Sequence, residues 1–389
     1  MLTKYYNINK ILRSKTISPR FRLFILNQDE TIKEQIPPKD VLSGGSYGEN
    51  YQNGTRRTLS FTLNNNSGKY NPSINKFWVN TKLSLQVGLE IPPYEGDVIW
   101  FDKGVFVINN IDPSKTSNDE TVSINCSDKF SIFEGRQGSS PVTTEIDVGE
   151  DIEEIIRDIQ NRPLYKGAIL DPKPMYFHKN FKGMKLPIKL SIPSGGLWSS
   201  LLLQIADILS AEIFYDVQGV LNIVPTTETI EDWSKPVIDD LTIENMANES
   251  FQFNVNDVVN CIYVVGANVN GHICIAKSVN EDPESPINID RIGLKVGDIV
   301  NDSNITDDIL AKERANYELR KKIVISTSLP IQTRINPIHT VNNIVTVTEG
   351  NTFKFKKERF LIQSVNFSLD YGGQTSLTLS NLHNFSFFL

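Results

Sequence analysis

The sequence of 389 residues contains only three cysteines and four histidines. Cys126, Cys261 and Cys274 are few, odd in number and far apart, which argues against a disulfide scaffold and favours folding in a reducing cytoplasm. The histidines contain no His-Glu-x-x-His pattern, so the zinc-protease motif is absent. They are His178, His272, His339 and His383.

Long apolar runs and excess positive charge are also missing. The chain has no apolar stretch of signal-peptide or membrane-spanning length, so we expect no membrane anchor. Lys and Arg number 39 against 46 Asp and Glu, a net charge of −7, whereas duplex-binding proteins usually present a basic face. With 39% hydrophobic and 22% charged residues, the composition instead predicts packed cores, in two or three domains at this length.

No catalytic constellation is found. Ser46 lies in the Gly-x-Ser-x-Gly spacing of a hydrolase nucleophile elbow, but the residues that follow, Glu49 to Gly54, have no helical period. A Gly-x-x-x-x-Gly-Lys-Ser/Thr phosphate loop is absent. Adjacent carboxylates on turns or helix starts are ordinarily solvated; these pairs are Asp119-Glu120, Glu153-Glu154 and Asp239-Asp240. We therefore predict no enzyme and no catalytic, cofactor-binding or metal-binding residue.

Two segments carry metal-ligand residue types. His272 and Cys274 are two apart, so both face one side of a strand, and Cys261 is expected on the neighbouring strand. A zinc site needs a fourth ligand, so the pattern favours buried cysteines beside a hydrogen-bonded histidine. The stretch from Asp302 to Glu313 has calcium-loop oxygens but Asp307 where that loop needs glycine. Helix capping by Thr306 is therefore the preferred interpretation.

Period-two alternation at both ends of the chain predicts antiparallel sheets with one buried face. It is clearest at residues 58–63, 82–87 and 121–126, and a turn is predicted at Asp102-Lys103-Gly104 between short strands. The centre changes period: residues 152–159 and 198–209 predict helices, and residues 212–224 predict a hairpin. Strands return after about residue 238, interrupted by a helix near 307–322. The sequence thus predicts a mainly β protein with an α+β insert.

The two β-rich ends share a short internal repeat. Phe106 to Ile111 aligns with Phe360 to Val365 at an offset of 254 (360 − 106), and Glu120-Thr121 aligns with Gln374-Thr375 at the same offset. Each end therefore finishes with a long strand, a turn and an alternating strand.

Several segments of the sequence resemble a known protein family. Residues 41–47, 54–63 and 68–72, which include Gly44-Gly45-Ser46-Tyr47 and Arg56-Arg57-Thr58-Leu59, look like the opening domain of bacteriophage tail hub proteins. Residues 82–88, 100–108, 198–216 and 257–260 continue the resemblance, as do Ala311, Ala315 and Leu319 in the last predicted helix. The motifs are diffuse and extend over nearly the whole chain.

The resemblance implies two similar antiparallel β-barrel or β-sandwich domains of the tail-tube type that flank a small α+β domain. The corresponding division is 1–135, 136–235 and 236–389. Hubs of this family are trimeric rings in the virion baseplate, where two tube-like domains per chain imitate the six-fold symmetry of a hexameric tail tube.

The expected partners are other copies of the chain, a tail tube or distal tail protein, a spike or tail-tip protein and a tape measure protein. DNA would pass through the channel without specific binding, and the chain would be made in the host cytoplasm. Two alternatives remain open. One is a virion receptor- or glycan-binding β-sandwich protein with exposed Trp78 or Trp100, although both are expected in the core; the other is a cell-wall hydrolase.

Overall fold

The computed structural model divides into two compact units. One contains Met1–Pro225, Arg334–Thr340 and Ser364–Thr375, and the other contains Thr226–Thr333, Val341–Gln363 and Ser376–Leu389. The structure describes residues 18–71, 78, 81–90, 97–135, 138–163, 169–226, 235–242, 246–249, 258–269, 271–283, 285, 287–302, 305–326, 328–349, 355–370 and 372–381. Residues 1–17 and His383 lie outside these ranges.

The first unit begins with seven strands that pair antiparallel. They are β1 (Pro19–Leu26), β2 (Ile32–Ile36), β3 (Ser46–Asn50), β4 (Arg57–Asn64), β5 (Lys82–Glu90), β6 (Val98–Lys115) and β7 (Glu120–Asp128). Their spatial order is β3-β4-β7-β6-β5-β1-β2. The predicted alternation is seen in β4, where Leu59, Phe61 and Leu63 are buried and the intervening hydroxyl residues are more exposed.

The same unit continues with a part that mixes helices and short strands. Its elements are α1 (Ser131–Glu134), β8 (Thr144–Ile146), α2 (Ile152–Gln160), β9 (Tyr176–Phe177), β10 (Leu190–Ile192), α3 (Trp198–Leu209), β11 (Ala211–Tyr215) and β12 (Leu221–Pro225). Both predicted helices and the predicted hairpin are present. Asp151 caps α2, because its carboxylate accepts hydrogen bonds from the N–H groups of Glu153 and Glu154. The buried faces of α2 and α3 share one hydrophobic core with β11 and β12.

The second unit contributes most of the remaining elements. They are β13 (Val237–Thr242), β14 (Met246–Glu249), β15 (Cys261–Val269), β16 (His272–Val279), α4 (Ile289–Ile292), β17 (Val300–Asn301), α5 (Asp308–Ser326), β18 (Ser328–Arg334), β19 (Ile344–Glu349), β20 (Phe355–Ser368) and β21 (Gln374–Asn381). Ala311, Ala315 and Leu319 of α5 pack on buried residues of β15 such as Ile262 and Val264. Residues 364–368 of β20 belong to the first unit.

The strands of the two ends follow the same order. In the later set it is β14-β18-β21-β20, and β19 then joins β20 and β13 joins β19. In the earlier set it is β3-β4-β7-β6, followed by β5 and β1. The last pair of this shared order differs, because β13–β19 is parallel and β1–β5 is antiparallel. In the earlier set β2 continues the sheet beyond β1. We call β3-β4-β7-β6-β5-β1 the first repeat and β14-β18-β21-β20-β19-β13 the second repeat.

This arrangement confirms the predicted fold class, a mainly β chain with similar sheets at both ends and an α+β part between them. The described strands form no closed barrel. The division at residues 135 and 235 stays a prediction. Among the described residues, no helix combines the length and hydropathy that crossing a membrane requires.

Two local predictions were wrong. Asp102-Lys103-Gly104 is not a turn between strands, since β6 runs through it without interruption. The ladder with β5 shifts register at this point and Gly104 adopts a φ of +142°, so a bulge replaces the expected turn. The N-cap of α5 is Asp307 and not Thr306, because the Asp307 carboxylate accepts the N–H of Leu310 at 2.8 Å.

Candidate functional site

Ser46 lies in β3, and its Oγ is 2.8 Å from the Oγ of Ser60 on the neighbouring strand. The chain continues along β3 after Ser46, whereas a nucleophile elbow turns from a strand into a helix. The hydroxyl therefore belongs to a cross-strand Ser–Ser pair, and the geometry of an elbow is absent at this serine.

His272 and Cys274 come together with Asp308, and the three candidate ligand atoms lie within 4.8 Å of one another. His272 and Asp308 are exposed and Cys274 is buried. The Asp308 carboxylate contacts His272 Nε2 at 3.1 Å and accepts the N–H of Ile275 at 3.2 Å. These contacts attach the first turn of α5 to β16. Cys261 does lie on the neighbouring strand, but it pairs with Val279, at the opposite end of the ladder from His272.

The other predicted candidates are dispersed. Glu120 pairs with exposed Lys115, and Glu153 and Glu154 occupy the first turn of α2. Asp240 accepts a hydrogen bond from Thr346 at 2.8 Å. The expectation that both tryptophans lie in the core was wrong for Trp78, whose exposed fraction is 54%. Trp100 is half-buried beneath the guanidinium of Arg22, which lies 3.9 Å from the ring centre.

A buried charged cluster lies in the first unit around Glu49. We call Glu49, Arg57, Lys103, Tyr47 and Thr340 the Glu49 cluster. Arg57 forms an ion pair with Glu49, and Thr340 donates a hydrogen bond to the same carboxylate at 2.8 Å. Lys103 Nζ donates to the carbonyl oxygen of His339 at 2.9 Å. Lys103 reaches this position from the bulge in β6, which turns its side chain inward.

Burial governs the electrostatics of this cluster. Desolvation lowers the pKa of Lys103 to about 8, although the nearby Glu49 opposes the shift. Desolvation also disfavours the charged form of Glu49, but Arg57 and Lys103 outweigh it and hold the pKa of that carboxyl below its ordinary value. Burial raises the pKa of Tyr47 well above its usual range. Burial raises the pKa of Asp128 to about 6, although Asp128 accepts the N–H groups of Arg56 and Arg57.

A second buried group surrounds Glu30, which follows β1 with a φ of +67°. Its carboxylate contacts Lys82 at 2.8 Å, Lys129 at 2.6 Å and Lys173 at 2.9 Å. Burial opposes ionisation of Glu30, but Lys129 and Lys82 outweigh it and lower the pKa of Glu30. Lys129 also pairs with buried Asp171 at 2.6 Å, so this group joins residues of the N-terminal strands to residues of the α+β part.

Arg56 forms a third buried ion pair within the same unit. Its guanidinium contacts Glu212 of β11 at 2.6 Å and lies 3.7 Å from the ring centre of Phe214. Tyr51 donates a hydrogen bond to the other oxygen of Glu212 at 3.0 Å. This pair connects the start of β4 to the hairpin of the α+β part.

These three groups fix strands to one another. Perturbed pKa values and buried charges are common at active sites, but structural ion networks produce them as well. Glu49, Glu212 and Lys129 each form an ion pair at contact distance, and Lys103 donates to a backbone carbonyl. Each group joins segments that are distant in sequence. Sequence inspection missed all three, since Lys103 and Lys129 have the appearance of ordinary surface lysines. The adjacent arginines Arg56-Arg57 at the start of an alternating strand were the one available signal.

Comparison with known proteins finds similarity in solved structures alone. No protein-family signature and no curated protein sequence matches the chain. A 43 kDa tail protein of prophage MuSo2 from Shewanella oneidensis superposes with a TM-score of 0.61 at 15% identity, covering 94% of this chain and 99% of that one. The chain has the fold of a prophage tail protein.

Two further structures support this likeness. A tail protein from Neisseria meningitidis MC58 gives a TM-score of 0.59 at 12% identity over 93% of this chain and 97% of that one. A chain of the Francisella PdpA-VgrG complex gives 0.56 at 9% identity, covering 98% of this chain and 55% of that one. The resemblance inferred from the sequence is thereby confirmed at the level of the fold.

Proposed function

We propose that this chain is a structural component of a phage tail, and specifically the central hub of the tail tip or baseplate. Three copies form a ring that joins a hexameric tail tube to a trimeric spike or tail-tip protein. The internal repeat supports this proposal most directly, because two similar strand sets per chain give a three-chain ring six similar surfaces. The fold shared with prophage tail proteins along more than nine-tenths of the chain supports it independently.

In this proposal the protein is not an enzyme and acts by joining other components of the virion. The buried ion groups serve this role by fixing the α+β part on the N-terminal strands. The net charge of −7 suits a channel through which DNA passes without adhering to the wall. Tail tube, spike and tape measure proteins are the proposed partners. The division at residues 135 and 235 is retained as part of the proposal.

Light scattering on the purified chain, alone and after mixing with its spike partner, tests the proposal. We expect a particle of three times the chain mass, together with a closed ring in negative-stain images. A monomer that persists at high concentration, both alone and with the spike partner, would contradict the hub assignment.

A further inference from the structure

In each repeat the long strand, β6 or β20, stops pairing with its neighbour, β5 or β19, at a matching residue. The β5–β6 ladder reaches Val107, and the N–H of Ile108 then bonds the carbonyl of Thr81 at 3.0 Å. The β19–β20 ladder reaches Leu361, and the N–H of Ile362 then bonds the carbonyl of Asn343 at 2.9 Å. Ile108 and Ile362 are related by the offset of the sequence repeat, so the two long strands lose their inner neighbours at the same place.

After Ile108 in β6 and Ile362 in β20, the two strands have different neighbours. Residues 364–368 of β20 pair antiparallel with β3, and the N–H of Leu369 bonds the carbonyl of Gly45 at 2.7 Å. The matching residues of β6 are 110–114, which pair with β7 along one edge. No described strand pairs with their other edge, and all of them except half-buried Ile111 are exposed. Val365 and Phe367 of β20 are buried.

The direction of the amide groups indicates which donors the open edge of β6 offers. The N–H groups of Ile362 and Leu369 face the same edge although they are an odd number of residues apart, so one irregularity lies between them. β6 has its irregularity between Ile108 and Asn110. Alternation then turns the N–H groups of Ile111 and Lys115 toward the open edge. In the single chain the N–H of Ile111 donates to the side-chain oxygen of Asn110 at 3.0 Å, a bond that strand pairing would replace. Pro113 between them has no N–H to offer.

The second repeat contains the strand that fits this edge. β14 holds the place in the second repeat that β3 holds in the first, next to β18 as β3 is next to β4. The outer edge of β3 is covered by β20. Within the described part of the chain, β14 pairs with β18 and its outer edge has no strand. As far as the described residues go, one chain thus carries two open edges, and their counterparts in the repeat are paired with each other.

We propose that β14 of a second copy of this chain pairs antiparallel with residues 110–114 of β6. This inference rests on the proposed ring and names the surfaces that build it. The contact is heterologous, since each copy offers its β14 to one neighbour and its β6 to the other, and three such contacts close a ring of six similar strand sets. The β3–β20 pairing within one chain is the template for the pairing between chains.

Two features of the open edge of β6 favour a second copy of this chain, rather than an unrelated protein, as the source of the added strand. A depression of about 330 Å³ lies beside the start of the open edge, and Ile108, Asn109, Ser131 and Glu134 contribute to its lining. Pro113 interrupts the row of donors, which is a common device against indiscriminate strand addition. A partner that must pair with this edge therefore needs packing in addition to the ladder. A neighbouring copy that arrives in a fixed orientation provides such packing.

Hydrogen exchange measured by mass spectrometry on the assembled protein tests the proposal. We expect peptides that cover residues 109–116 to exchange at least about tenfold more slowly in the trimer than in protein diluted to monomers. Peptides of β2, which also ends its sheet, serve as the control and are expected to keep one rate in both states. A trimer in which residues 109–116 exchange as fast as in the monomer would refute this edge and leave the hub proposal standing. Failure to form any trimer would refute both.

Two substitutions of opposite effect sharpen the test. Ile111→Pro removes a donor that faces the open edge, together with its exposed bond to the Asn110 side chain, and leaves the bonds to β7. We therefore expect the trimer to dissociate at least about ten times more readily. Pro113→Val adds a donor to the same row, and we expect it to tighten the trimer. The unchanged melting temperature of the diluted Ile111→Pro monomer verifies its folding. Unchanged trimer affinity in both variants would refute the proposal. The proposal would also be refuted if Pro113→Val aggregated into particles larger than the trimer while the trimer itself became no tighter.

Discussion

Lys103 and Lys357 occupy matching positions in the two repeats and have opposite environments. Both lie where the long strand of their repeat is irregular: the register shifts opposite Lys103, and Lys357 has a φ of +55° next to the shift in β19. Lys103 is 2% exposed and takes part in the Glu49 cluster, whereas Lys357 is exposed. The repeat therefore fixes the path of the backbone, and the segments packed over it decide what the side chain does. In the first unit those segments include residues 339–340.

Among the variants that test this comparison, removal of the Glu49 carboxylate is expected to change the stability of the protein most. In Glu49→Gln, the buried Arg57 and Lys103 lose the negative charge that neutralises them, and we expect a loss of about 3–5 kcal/mol in the free energy of unfolding. Chemical denaturation measures it. Glu120→Gln is the control, because Glu120 pairs with an exposed lysine, and we expect it to cost less than about 1 kcal/mol. Equal losses in the two variants would show that the Glu49 cluster contributes nothing beyond a surface pair.

A smaller effect distinguishes the two lysines by pH. The pKa of Lys103 is about 8 in the folded protein and ordinarily 10.5, so between these values the unfolded chain binds more protons at this residue. Stability from this group therefore rises as the pH increases from about 8 to 10.5, and it is lower at neutral pH. We expect the unfolding free energy of the parent protein to gain about 2 kcal/mol over Lys103→Met in this range.

Lys357→Met provides the matched control for this pH dependence. Its side chain is exposed, so this variant controls for the loss of a lysine at the equivalent position of the other repeat. A parallel pH profile for the parent protein and Lys103→Met would contradict the buried position of Lys103.

The sequence predicted the fold through residues whose spacing reports burial directly. Leu59, Phe61 and Leu63 alternate because one face of β4 is buried, and the isoleucines of α2 repeat with the helical period for the same reason. The repeat was detectable because Phe106 and Phe360 begin equivalent buried stretches. Asp102-Lys103-Gly104 was mistaken for a turn, since a lone sequence does not reveal that distant Glu49 and His339 surround Lys103.

The open edge of β6 could not be predicted from the sequence, for a different reason. Residues 110–114 are polar apart from Ile111 and hold a proline, a composition typical of a loop or an ordinary edge. Their significance comes from comparison with residues 364–368, which are paired with β3. That comparison needs both the offset of the repeat and the observed ladders, and hydrophobic periodicity supplies neither.

The central claim is that three chains with two equivalent strand sets each form a ring of six. A three-dimensional reconstruction of the purified assembly, calculated without imposed symmetry, tests it most directly. We expect three copies around a central opening, with the first and second repeats alternating at similar angles and radii. An assembly in which the two repeats occupy unlike positions around the axis, or a particle with another number of chains, would contradict the claim.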